Sequence, residues 1–126
     1  MSAAELLEVW RAHLADGRRR SPHTVRAYVA AAQRLVAAKG LEDWAGAARI
    51  EAHDLRAHLA ARRAEGIGNA STARELSALK AFIAFAREQA GDPDPAAPRL
   101  RGPRIKKGLP RPVTPDEASN LADLVD

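Results

Sequence analysis

The sequence predicts an all-α chain: four helices, then an extended basic linker and the start of a further helix. Three observations carry this expectation. Alanine supplies much of the 46% hydrophobic content while aromatic residues make up 4%, and the β-branched and aromatic types that favour strands are scarce. Apolar residues recur at three- and four-residue spacing, the period of a helix with one buried face. Glycines at 17, 40 and 66 close the periodic segments, as helix-ending residues do.

The elements follow in order. Leu6, Leu7, Trp10 and Leu14 define a first helix from about Ala3 to Gly17. After the basic run Arg18, Arg19 and Arg20, Ser21 is a good N-cap and Pro22 stands where its missing N–H costs nothing. Behind them Val25, Tyr28, Val29, Ala32, Leu35 and Val36 make one stripe that Gly40 ends. Leu41 to Ile50, with Trp44 buried, reads as a loop or a short turn of helix. A third helix over Ala52 to Glu65 turns Leu55 and Leu59 inward. Asn69 or Ser71 caps a fourth, running to about Ala90, with Leu76, Leu79, Phe82, Ile83 and Ala86 on one side and Arg74, Ser77 and Lys80 on the other.

From Gly91 the composition changes. "GDPDPAAPRLRGPRIKKGLPRP" holds six of the eight prolines, and between Arg99 and Arg111 it has six basic residues and no acid, which argues for an extended linker. "TPDE", Thr114 to Glu117, is a complete capping box, so a new helix begins near the chain end. A helix of so few residues has little to pack against, and the expectation is that it opens a second domain. The division is then 1–91 helical domain, 92–113 linker and 114–126 first helix of a further domain.

Composition narrows the chemistry. With no cysteine, disulfides and thiolate metal sites are excluded. His53 and His58 lie five apart, the wrong spacing for a metal pair on one helical face. No nucleophile–base pair, paired-carboxylate site or glycine-rich phosphate loop stands at a recognisable spacing, so no catalytic residue, metal or cofactor is assigned. The first residues carry acids where a signal peptide needs positive charge, and no apolar run nears the roughly 18 residues of a membrane span; a soluble, cytoplasmic protein is expected.

Binding is the better case, given a formal charge of +4 and a pI near 10.1. Arg20, Ser21, Thr24 and Arg26 gather at a helix start, where free amides and the helix dipole suit a phosphate. Tyr28 belongs to the apolar stripe, yet its hydroxyl is able to reach a phosphate oxygen. Ser71, Arg74, Ser77 and Lys80 offer donors among small residues, and arginine grips guanine with two hydrogen bonds. Lys106, Lys107 and Arg111 sit in the polarised linker, where neutralising phosphates would release counterions. The residues alone leave the plain alternatives open: Ser21 as cap only, the arginines as a solvated loop, the Arg74 row as a solubility face, the linker as disordered chain. Double-stranded DNA and a helical protein-interaction partner both stay open on the residues alone.

"SPHTVRAY", "GIGNASTARELSALKAFIAF" and "GLPRPVTPDEASNL", in this order and spacing, resemble the N-terminal core-binding domain of bacterial Xer-type tyrosine recombinases and related phage integrases. The resemblance implies a four-helix, SAM-like orthogonal bundle that clamps one face of duplex DNA while a separate C-terminal domain breaks and rejoins it without metal or cofactor. It implies that Thr24 and Tyr28 contact phosphate, that Ser71, Arg74, Ser77 and Lys80 face the groove, and that Lys106, Lys107 and Arg111 track the backbone. It also implies that protomers meet on DNA and that a free chain is monomeric. One departure is Glu75 where many relatives carry a second arginine, expected to weaken the positive field beside Arg74.

Overall fold

Local hydrogen bonds at the chain turns decide where each helix begins. In the computed structural model, which describes residues 1–17 and 21–100, Ser2 Oγ accepts from the Glu5 N–H while Glu5 Oε1 accepts from the Ser2 N–H at 2.7 Å, a reciprocal cap. It starts α1 (Ala3–Ala12), which continues as a π-helical turn, His13–Gly17. Ser21 Oγ accepts from the Thr24 N–H at 3.2 Å and opens α2 (Pro22–Lys39), closed by Gly40 at φ 64°. Asp43 caps α3 (Trp44–Ala48) through a 2.7 Å bond from Gly46, so the segment expected as a loop or short turn forms a single helical turn. In α4 (Ala52–Ala64) the Glu51 N–H donates to Asp54 at 3.0 Å.

α5 (Asn69–Gln89) corrects one expectation. Its N-cap is Gly68, extended at φ −84° and ψ −179°, with no side-chain cap; neither Asn69 nor Ser71 does that work. The chain turns into the helix before reaching either of them, and glycine, though it offers no side-chain acceptor, is a serviceable N-cap. Thr72 Oγ1 instead donates back to the Gly68 carbonyl at 2.8 Å.

The described residues form an all-helical, strand-free fold in which α5 is the axis. It packs against α2, α3 and α4, with α1 laid on α2. Nine of its positions are buried, Thr72 and Glu75 among them, so it is covered around much of its circumference. An aromatic layer joins the helices: Trp10 meets Phe82 edge-on at 5.6 Å, His13 stacks on Phe85 at 4.2 Å, and half-buried Trp44 meets Phe85 edge-on at 5.2 Å. Such pairs add about 0.5–1.5 kcal/mol beyond their buried area. Leu6, Leu14, Leu35, Leu55, Leu79 and Ile83, all fully buried, complete the core.

Arg87 fastens the far end. Its Nε donates to the Ala48 carbonyl at 3.0 Å, Nη2 to Ile50 at 2.8 Å and Nη1 to Ala96 at 2.6 Å. Pro98 is buried and Leu100 packs on the core. Ala96, Pro98 and Leu100, in the stretch expected as linker, therefore lie against the helical domain. Arg18, Arg19, Arg20, Lys106, Lys107, Arg111 and the Thr114 capping box lie outside the described residues. No described helix is long and apolar enough to cross a membrane.

Candidate functional site

Where α2 and α5 lie side by side, a groove of about 560 Å³ opens between them. The α2 wall is His23, Thr24, Ala27, Tyr28, Ala31 and Arg34, which fall within about 140° of one another around the helix and so share one face. The α5 wall is Ser71, Arg74, Glu75, Ser77 and Ala78, with Arg62 entering from α4 and Ile67 from the preceding turn. Residues almost fifty positions apart in the chain thus share one surface.

Five of the sequence-selected residues line this groove: Thr24, Tyr28, Ser71, Arg74 and Ser77. Arg74 is exposed, with no ion pair or hydrogen bond among the described residues, and Ser71 and Ser77 are exposed beside it. Tyr28 is half-buried, its ring packed on the core. Ser21 stands at the exposed mouth of α2, where its hydroxyl donates to Thr24 Oγ1 at 3.0 Å.

Two residues fall elsewhere, for a geometric reason. Arg26 is two positions past Thr24, about 200° around the helix, and is exposed outside the groove lining. Lys80 is half-buried and also outside the lining. A row repeating every three residues turns back by about 60° per step, so Arg74, Ser77 and Lys80 spiral away from the groove instead of forming one straight face.

Glu75 changes most from its expected part. Its side chain is 4% exposed and lies under the groove within a closed network. Oε1 accepts from Arg34 Nη2 at 2.9 Å, Arg62 Nε donates to Oε2 at 3.1 Å, and His58 Nε2 lies 3.3 Å from Oε2. Burial pushes the carboxyl up, but the hydrogen bonds and charges of Arg34 and Arg62 together outweigh it and hold the group below its ordinary range. Burial likewise lowers His58, against the pull of Glu75; a neutral imidazole then donates from Nε2. Far from thinning the positive field beside Arg74, Glu75 draws two arginines to the groove. With Arg74 that makes three cations to one carboxylate.

Sequence reasoning missed Arg34 and Arg62. Arg34 was findable, since it stands seven residues past Ala27, within about 20° of it around α2. Arg62 was not, because only the packing of α4 on α5 brings it there. Among the described residues no cluster of three histidine or acidic side chains is arranged to hold a metal.

Comparison with known proteins agrees with this architecture. Residues 7–90 match the family model described as phage integrase, N-terminal SAM-like domain. The chain is 34% identical over 122 residues to tyrosine recombinase XerC of Methylobacterium sp. strain 4-46, covering 94% of this chain and 38% of the relative. It is 36% identical over 129 residues to tyrosine recombinase XerC of Rhodospirillum centenum, covering 96% and 37%, and 32% identical over 120 residues to that of Nitrobacter winogradskyi, covering 90% and 37%. It therefore spans well under half the length of these relatives. No solved structure matches it. With its all-helical architecture, the family match along residues 7–90 and these recombinase relatives, the chain belongs to the phage integrase N-terminal SAM-like domain family, as a tyrosine recombinase N-terminal domain.

Proposed function

We propose that this chain holds duplex DNA for a site-specific tyrosine recombinase, through the α2–α5 groove, while strand breakage and rejoining through a phosphotyrosyl link belong to a C-terminal catalytic domain. The observation that carries the reading is the meeting of hydroxyls and cations in one groove: Thr24 and Tyr28 from α2, Ser71, Ser77 and Arg74 from α5. Hydroxyls and guanidinium groups are the donors that phosphate oxygens and base edges take. The positive end of the α2 dipole favours an anion there, Ser21 at that end adds a hydroxyl donor, and Arg20, Ser21 and Arg26 are read as further phosphate contacts.

In this reading Arg74 reads a base edge, and Lys106, Lys107 and Arg111 follow the phosphate backbone as the chain crosses to the catalytic domain. Tyr28, the sole tyrosine, is a groove contact and not the nucleophile; the chain itself carries no catalysis. Other recombinase protomers join it on DNA, the free chain is monomeric, and the setting is the cytoplasm.

Fluorescence anisotropy of a labelled duplex, titrated with the chain across a salt series, tests this. Log affinity falls linearly with log salt, by about 0.9 for each phosphate neutralised. Arg74→Ala lowers affinity by about 1–3 kcal/mol and flattens preference among sequences, whereas Lys80→Ala, outside the groove, costs far less. A duplex affinity that does not respond to salt assigns the surface to a protein partner and ends the reading.

A further inference from the structure

Arg34 and Arg62 both pair with Glu75, but they are not equivalent. Arg62 is 19% exposed and also donates to Glu65 at 2.6 Å, so two carboxylates hold it. Arg34 is 41% exposed and spends only Nη2 on Glu75; its other donors have no partner among the described residues. A guanidinium held by one edge and open at the other is a cation already placed for a second acceptor, with little rotamer freedom left to lose. Glu75, beneath it, is kept ionised by the same two arginines.

From this geometry we infer that Arg34 is a phosphate contact of the groove, facing Arg74 from the α2 wall, and that Glu75 is its positioning residue, with Arg62 and His58 fixing the carboxylate. The inference rests on the DNA-holding reading above and deepens it. A carboxylate at a polyanion-binding surface ordinarily repels the ligand. Here its effect on binding has the opposite sign, because it orders the cation next to it.

That sign is the test. On the 126-residue chain, duplex affinity and its salt dependence are measured for wild type, Arg34→Ala, Arg34→Lys, Glu75→Gln and the Arg34→Ala/Glu75→Gln double variant, each checked for helicity and melting. Arg34→Ala weakens binding about tenfold and flattens the salt slope by about 0.9. Glu75→Gln raises the net charge by one, which by charge alone tightens binding; positioning predicts a loss of about two- to tenfold. The double variant binds no worse than Arg34→Ala. Arg34→Lys keeps the charge without the planar fork and recovers only part of the affinity.

Glu75→Gln that binds as tightly as wild type or tighter overturns the positioning role, and Arg34→Ala with unchanged affinity and slope overturns the contact. If Glu75→Gln does not fold, Arg34→Lys decides: full wild-type binding reduces Arg34 to net charge and refutes the inference. A wild-type chain without salt-dependent duplex binding removes the underlying reading as well, an outcome distinct from loss confined to the Arg34 comparisons.

Discussion

Removing the guanidinium of Arg87 unfastens three segments at once. Its side chain is 11% exposed and donates to the carbonyls of Ala48, Ile50 and Ala96, tying α5 to the α3–α4 connection and to the segment that leaves the domain. In Arg87→Ala the carbonyls of half-buried Ala48 and buried Ile50 lose charged donors, each worth about 1.5–3 kcal/mol. The bond to exposed Ala96 and the 3.5 Å pair with Glu51, itself 60% exposed, add little, since exposed ion pairs contribute about 0–1 kcal/mol. Taking the lower figure for the two part-buried bonds, the loss is about 3 kcal/mol. For a domain of this size that lowers Tm by roughly 12–24 °C. Differential scanning calorimetry reads the global loss, and hydrogen exchange reads the local one at residues 47–50. Arg87→Lys, with one ammonium in place of a planar fork, restores less than half. A loss below about 1 kcal/mol, or full rescue by lysine, refutes the idea that this fork holds the far end of the fold.

Three further outcomes are expected. Acidification destabilises the domain in two stages. Burial puts the folded-state value of His58 below its ordinary 6.5, so its contribution is whole above that pH and is lost as pH falls toward the folded value. Glu75 contributes fully above its ordinary 4.5 and loses that contribution as pH drops through its lowered folded value. Urea melts across pH, with His58→Gln deleting the upper stage and leaving the lower, check this. Gly40→Ala costs about 1 kcal/mol in thermal melts, because φ 64° strains any residue with a Cβ although nothing lies within 4 Å. Gly68→Asp places a capping carboxylate over the uncapped start of α5, in open space; stability rises by a few tenths of a kcal/mol while duplex affinity falls, since the new charge stands beside Ser71. Equal or tighter binding by that variant counts against the groove.

What the sequence determines by itself is local. Ser21 and Pro22, the stripe from Val25 to Val36 and the inward Leu55 and Leu59 are legible because capping and amphipathic periodicity are satisfied within a few residues of the chain. Thr24, Tyr28, Ser71, Arg74 and Ser77 were selected for the same reason: their chemistry and helical spacing are written in consecutive turns.

Only the tertiary structure decides which of those turns meet. α5 is buried on several sides, so a row that looks free on a helical wheel loses Lys80, while the packing of α4 brings in Arg62. Glu75 reads from sequence as an unwelcome negative charge, but its surroundings come from α2 and α4, Arg34 lying forty-one residues away. Periodicity records which face a residue occupies. What stands opposite that face, and so whether a buried carboxylate repels a ligand or organises the cations that receive it, depends on non-local packing that no local pattern encodes.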